Sequence, residues 1–155
     1  QVSPASVWEC ATKFKKITSV DLPIGVENSL VRVVPTFFTK PFDSNMKSKL
    51  RSALFSADFN VMCGTMILRW CIERFSNFFT GGQLNKAIVA YNAGAYTSSL
   101  NPVNPLTGRR SASQIPIDTA TLVVSPIVPK ESRNYLLKML GVDGFLYLIY
   151  VKKVI

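Results

Sequence analysis

ADFNVMCGTMILRWCIERFSNFF, Ala57 to Phe79, decides how the rest of the chain is read. Its apolar side chains fall at Cys63, Met66, Ile67, Trp70 and Cys71, with Phe78 continuing the stripe, while Thr65, Arg69, Glu73 and Asn77 take the opposite face. Steps of three and four predict a long amphipathic α-helix, and Thr80-Gly81-Gly82 breaks it. Arg69 and Glu73 stand one turn apart on that helix and can pair.

Working outward, Leu84, Ala87, Ile88 and Tyr91 repeat the same spacing, which predicts a second helix from Gln83 to Asn92 capped by Gly94. Tyr91 and Asn92 then occupy its last turn. A third helix is expected in PKESRNYLLKMLG, with Pro129 at the entry, Glu131 favoured by the positive end of the helix dipole and Gly141 at the exit. Leu136, Leu137 and Leu140 are expected to form its buried face. Upstream, VSPASVWECATKF reads as helical, with Ser3 as cap and Pro4 as first residue. SLVRVVPTFF reads as a turn of helix or a strand stopped at Pro35. Between Tyr96 and Pro129, four prolines and no helical period predict a long irregular loop, to which TATLVV adds a small β element. The fold class expected is mainly α.

The chain has 155 residues, the size of one compact domain, read here as residues 1–155. Hydrophobic residues make up 48% and charged residues 17%, which excludes a disordered chain, and no apolar run reaches the ~20 residues of a membrane-spanning helix. A transmembrane segment is therefore not expected. No signal peptide, lipidation motif or internal repeat is read, and the start at Gln1 is that of a processed product or a piece of something longer.

Eighteen Lys and Arg against nine Asp and Glu leave a formal charge of +9, suited to a polyanionic partner. The basic residues are scattered and no nucleic-acid-binding motif accompanies them, so no nucleic acid is expected. The absence of histidine excludes a His triad, a His general base and a His-ligated zinc site within the chain. Cys10, Cys63 and Cys71 lack metal-knuckle spacing, and Cys63 and Cys71 lie about 12 Å apart along one helix. They read as three small buried thiols. No metal or organic cofactor is implied.

Four blocks, in order, resemble the soluble lytic transglycosylases, whose catalytic domain is related to goose-type lysozyme. SLVRVVPTFF looks like the family's Gly-Leu-Met-Gln-hydrophobic-x-Pro-x-Thr block, and NVMCGTMILRWCIERF is similar to its Asn-hydrophobic-x-x-Gly helix. KAIVAYNAGAY matches its Ala-x-x-Ala-Tyr-Asn-Ala-Gly motif, and VPKESRNYLLKML resembles its Pro-x-Glu-Thr-Arg-x-Tyr-hydrophobic block. Together they span nearly the whole chain. The resemblance implies a single lysozyme-like domain that cleaves the glycan strands of peptidoglycan without water. It places the chain in the bacterial cell envelope (periplasm) or in a phage virion.

The family's reaction uses one glutamic acid held protonated by apolar surroundings. Glu9, in VWECATKF, is the candidate, with Trp8 and Val7 beside it and Cys10 where relatives have serine. Glu27, in GVENSLVRVV, is its rival; it abuts the next block, which places it in a loop. Glu73 and Glu131 read as structural. Tyr91 and Asn92 would line the glycan cleft, as would Ser29 and Arg32, which stand where relatives have glycine and glutamine. An arginine at that position can salt-bridge the catalytic glutamate and weaken it as an acid. The alternative expectation is therefore a catalytically degenerate domain of a phage particle or an envelope-spanning secretion machine, with the lysozyme-like fold but no activity.

Overall fold

A computed structural model of the chain describes residues 2–75, 83–93 and 130–140. Among these residues most are helical and none lies in a strand, so the chain is mainly α as expected. The expected β element at TATLVV, the irregular loop, Phe78, Gly94, Pro129 and Gly141 lie outside the described residues. The chain divides into two compact units, residues 1–74 and 75–155.

The first unit opens with α1 (Pro4–Thr12), which begins where the sequence signals it: Ser3 Oγ accepts the Ser6 backbone N–H, and Pro4 takes a position whose missing N–H costs nothing. A short α2 (Phe14–Thr18) follows and ends at Ser19, whose φ of 60° is left-handed. The region of SLVRVVPTFF is helical rather than extended: α3 runs Ile24–Val33. Pro23 pre-sets the entry, its carbonyl accepting the N–H groups of Val26 and Glu27 at 2.8 and 3.0 Å. Glu27 therefore sits in the first turn of α3, which corrects its placement in a loop. An acidic side chain there complements the helix dipole.

α4 (Ser44–Ala53) was not legible as a helix from its composition, being crowded with Ser, Lys and Arg. Its buried stripe is narrow, Met46 and Leu50 one turn apart with Leu54 continuing it past the end. What starts it is Asp43, whose Oδ1 accepts the Met46 N–H at 2.7 Å. Replacing Asp43 by Ala is expected to lower stability by about 1 kcal/mol, read as a shift in the denaturant midpoint at constant slope. An unchanged midpoint would mean that packing alone holds α4.

α5 (Ala57–Phe75) is the long helix of the opening stretch. Cys63, Met66, Ile67, Trp70 and Cys71 are all 5% exposed or less, and Arg69 pairs with Glu73 at 2.6 Å. The core of this unit is formed by those side chains with Val7, Cys10, Ala11 and Phe14 from the N-terminal helices, Leu30, Val34 and Phe37 from α3 and its exit, and Met46, Leu50 and Leu54. α1 packs on α2 and α4, and α3 packs on α4.

In the second unit, α6 (Gln83–Ala93) packs against α7 (Lys130–Leu140). α6 is more deeply enclosed than its stripe suggested: Lys86, Ala87, Ile88, Val89 and Ala90 are all buried. On α7, Ser132 and Leu136 are buried one turn apart, whereas Leu137 is 46% exposed. The buried stripe thus runs through Ser132 and Leu136, and Leu137, turned about 100° from Leu136, falls outside it. Leu137 is not part of the buried face assigned to it.

Candidate active site

Glu9 lies in the C-terminal half of α1, between buried Val7 and Cys10 yet itself only half-buried. Its Oε1 is held by Lys13 Nζ at 2.8 Å, one turn on. The spacing of Glu9 and Lys13 is the same i, i+4 signal that identified Arg69 and Glu73, and it was passed over in the sequence. Beside Glu9, the Trp8 ring stands 5.8 Å from that of Phe42, and the Trp8 Nε1 is buried with no hydrogen-bond partner among the described residues. Trp8 therefore supplies an apolar flank, while Lys13 supplies a cation.

Cys10 turns into the core. Burial pushes its thiol well above the usual range, with Cys71 and Glu9 adding to the effect and Lys13 and Arg74 opposing it. Burial likewise pushes the Cys63 and Cys71 thiols up to about 12. A thiol that keeps its proton is a poor nucleophile, which supports the structural reading of all three.

Ser29 and Arg32 are on α3. The Ser29 hydroxyl donates to the Gly25 carbonyl at 2.7 Å within its own helix. Arg32 is exposed, and among the described residues it forms no ion pair with Glu9 or Glu27. The carboxylate of Glu9 is engaged by Lys13 instead. Among the described residues no hydrogen bond joins Glu9 to Ser29 or Arg32.

Tyr91 and Asn92 belong to the second unit, on the last turn of α6 as expected. Both are gripped by the first turns of α7. The Ser132 hydroxyl donates to Asn92 Oδ1 at 2.7 Å, across forty residues of sequence, and the Tyr91 ring stacks on Tyr135 with centroids 6.4 Å apart and planes 22° from parallel. Asn92 is exposed and Ser132 is only 1% exposed, so the hydrogen bond runs from inside the unit to its surface. Neither Ser132 nor Tyr135 was singled out from the sequence, although both stand in the last of the four blocks. Five residues before Tyr91, burial lowers the Lys86 ammonium below its usual range.

Among the described residues no three of Cys, Asp and Glu are grouped as metal ligands, and no helix is long and apolar enough to cross a membrane. Compared with protein-family models, with curated proteins and with solved structures, the chain matches none of them.

Proposed function

We propose that the chain is a lysozyme-like peptidoglycan lytic transglycosylase that opens the bacterial cell wall locally. The observation that carries this reading is the junction of α6 and α7. Two blocks that resemble the family, forty residues apart in sequence, meet there through Asn92 with Ser132 and Tyr91 with Tyr135. Nothing in helix packing alone requires an exposed asparagine to be tied to a buried serine. A surface that presents a fixed aromatic and a fixed amide side by side suits a glycan strand, whose rings offer both apolar faces and polar substituents.

In the proposed reaction Glu9, as the acid, gives its proton to the glycosidic oxygen between N-acetylmuramic acid and N-acetylglucosamine. The bond from that oxygen to the muramoyl anomeric carbon breaks, the N-acetylglucosamine leaving with a free 4-hydroxyl, and the resulting carboxylate takes the proton of the muramoyl 6-hydroxyl, whose oxygen closes on the anomeric carbon as a 1,6-anhydro ring. One proton leaves Glu9 and one returns, no water is consumed, and one carboxyl serves both steps, unlike hydrolysis by a carboxylate pair. Ser29 and Arg32 of the first unit, and Tyr91 and Asn92 of the second, are the residues proposed to contact glycan. The net charge of +9 favours approach to the anionic envelope, an effect that weakens with salt.

One observation favours a second reading. A general acid must present its proton to the leaving oxygen, and one oxygen of the Glu9 carboxyl is engaged by the Lys13 ammonium instead. A degenerate domain that binds glycan within a phage particle or secretion machine would tolerate that pair.

Digestion of purified peptidoglycan separates the two. Muropeptides ending in 1,6-anhydro-muramic acid, identified by mass spectrometry, are the expected product of the chain. Reducing muramic acid ends would make it a hydrolase. Release of nothing, beside an active control enzyme, would leave the binding domain.

A further inference from the structure

We infer that Ser132 is a positioning residue that fixes the amide of Asn92 so that only its Nδ2 amine faces outward, as a hydrogen-bond donor to an acceptor oxygen of the glycan. The inference rests on the glycan reading above and adds which chemical group of the strand this end of α6 takes.

An asparagine side chain has an acceptor end and a donor end and, left to itself, rotates to offer either. In the structure the end turned to Ser132 is the acceptor, Oδ1. The serine hydroxyl can donate to Oδ1, the distance is 2.7 Å, and the serine is only 1% exposed, so water competes poorly for it. Asn92 itself is exposed. With Oδ1 turned toward α7, the planar amide points one Nδ2 proton back from that helix and the other to the side. The stacking of Tyr91 on Tyr135 fixes the adjacent residue against the same helix, so the last turn of α6 cannot rotate freely beneath Asn92. A donor held in place meets an acceptor with little further loss of side-chain freedom. On a strand of N-acetylated sugars the carbonyl oxygen of the acetamido group is the strongest neutral acceptor. The predicted contact is therefore Asn92 Nδ2–H to an acetamido carbonyl, with Ser132 acting only through Asn92.

The test uses the full chain and a hexamer of N-acetylglucosamine as probe, with affinity from calorimetry and thermal midpoints as a folding control. Ser132→Ala is expected to weaken binding about 5- to 10-fold, the equivalent of one neutral hydrogen bond. Ser132→Thr, which keeps the hydroxyl, is expected to restore it. Asn92→Asp keeps an acceptor toward Ser132 but replaces the outward donor by an acceptor, and is expected to bind no better than Asn92→Ala. In the free chain, nuclear Overhauser contacts from the Asn92 Nδ2 protons to the Ser132 Hβ protons should be weak, because Oδ1 and not Nδ2 is the atom turned to the hydroxyl. Equal affinity of Ser132→Ala and the unaltered chain, or strong contacts between those protons, would overturn the assignment. If no form binds the hexamer while the proton contacts are weak, the glycan reading fails and the orientation of Asn92 toward Ser132 stands.

Discussion

If the proposed reaction is right, Glu9→Gln is expected to abolish the release of anhydro-ended muropeptides, a loss of about 10²- to 10⁴-fold, the usual range for removing a general acid–base group. The amide keeps the shape of the carboxyl but can neither give the first proton nor receive the second. Its carbonyl still accepts a hydrogen bond from Lys13, and the original pair is partly exposed, at 44% for Lys13 and 36% for Glu9. Stability should therefore move by less than about 1 kcal/mol, and lost activity cannot be blamed on lost fold. Glu27→Gln is the matched control. Glu27 lies in the first turn of α3, where its charge complements the helix dipole, and its replacement should leave product release unchanged. The assay is the same digestion with mass-spectrometric readout, and the opposite pattern would move the acid to Glu27.

Where the sequence signalled structure locally, the structure follows it. Ser3 and Pro4 start α1, and the stripe from Cys63 to Cys71 is buried side chain by side chain. Both rest on contacts within about one helical turn, which is the range over which sequence spacing carries meaning. α4 was missed because its apolar stripe is only Met46, Leu50 and Leu54, too narrow to stand out among Lys47, Lys49, Arg51 and the three serines Ser44, Ser48 and Ser52. Asp43, the cap, was the signal available. Leu137 shows the reverse failure: it is apolar yet 46% exposed, because it stands about 100° round α7 from buried Leu136.

The candidate site divides along the same line. Tyr91 and Asn92 were legible because a helix end with a glycine beyond it is a local feature. Their partners were not, because the link from Asn92 to Ser132 spans forty residues, and only tertiary packing brings a buried hydroxyl to that amide. The Lys13 partner of Glu9 was within reach of sequence reasoning. The spacing shows only that the pair can form; the 2.8 Å contact shows that it does.

Above pH 9 the first unit is expected to lose stability steeply, by up to about 4 kcal/mol per pH unit, as three thiols release their protons on unfolding. Cys10, Cys63 and Cys71 are 5%, 0% and 1% exposed. Burial raises each thiol from the ordinary 9.0, to about 12 for Cys63 and Cys71 and further still for Cys10. Between 9 and about 12, then, the folded chain keeps three protons that the unfolded chain gives up. Fewer protons on the unfolded state means that stability falls as pH rises, and below 9 the contribution is fully present. Lys86, in the second unit, has the opposite sign: its folded ammonium titrates below 10.5, so rising pH relieves its burial. Against a folding free energy of about 5–15 kcal/mol, the thiol slope is enough to unfold the first unit within a few pH units. Denaturant midpoints at pH 8, 9, 10 and 10.5 under reducing conditions measure it, with the variant carrying Cys10→Ala, Cys63→Ala and Cys71→Ala as reference. That variant starts less stable, because it leaves small cavities, so the comparison is between slopes and not absolute values. Lysines and tyrosines titrate in both proteins and cancel. A flatter alkaline limb in the variant is the expected result, together with thiol labelling of the unaltered chain that proceeds only as it unfolds. Parallel limbs, or rapid labelling of the folded chain at pH 8, would show that the thiols are not held out of solvent as the structure places them.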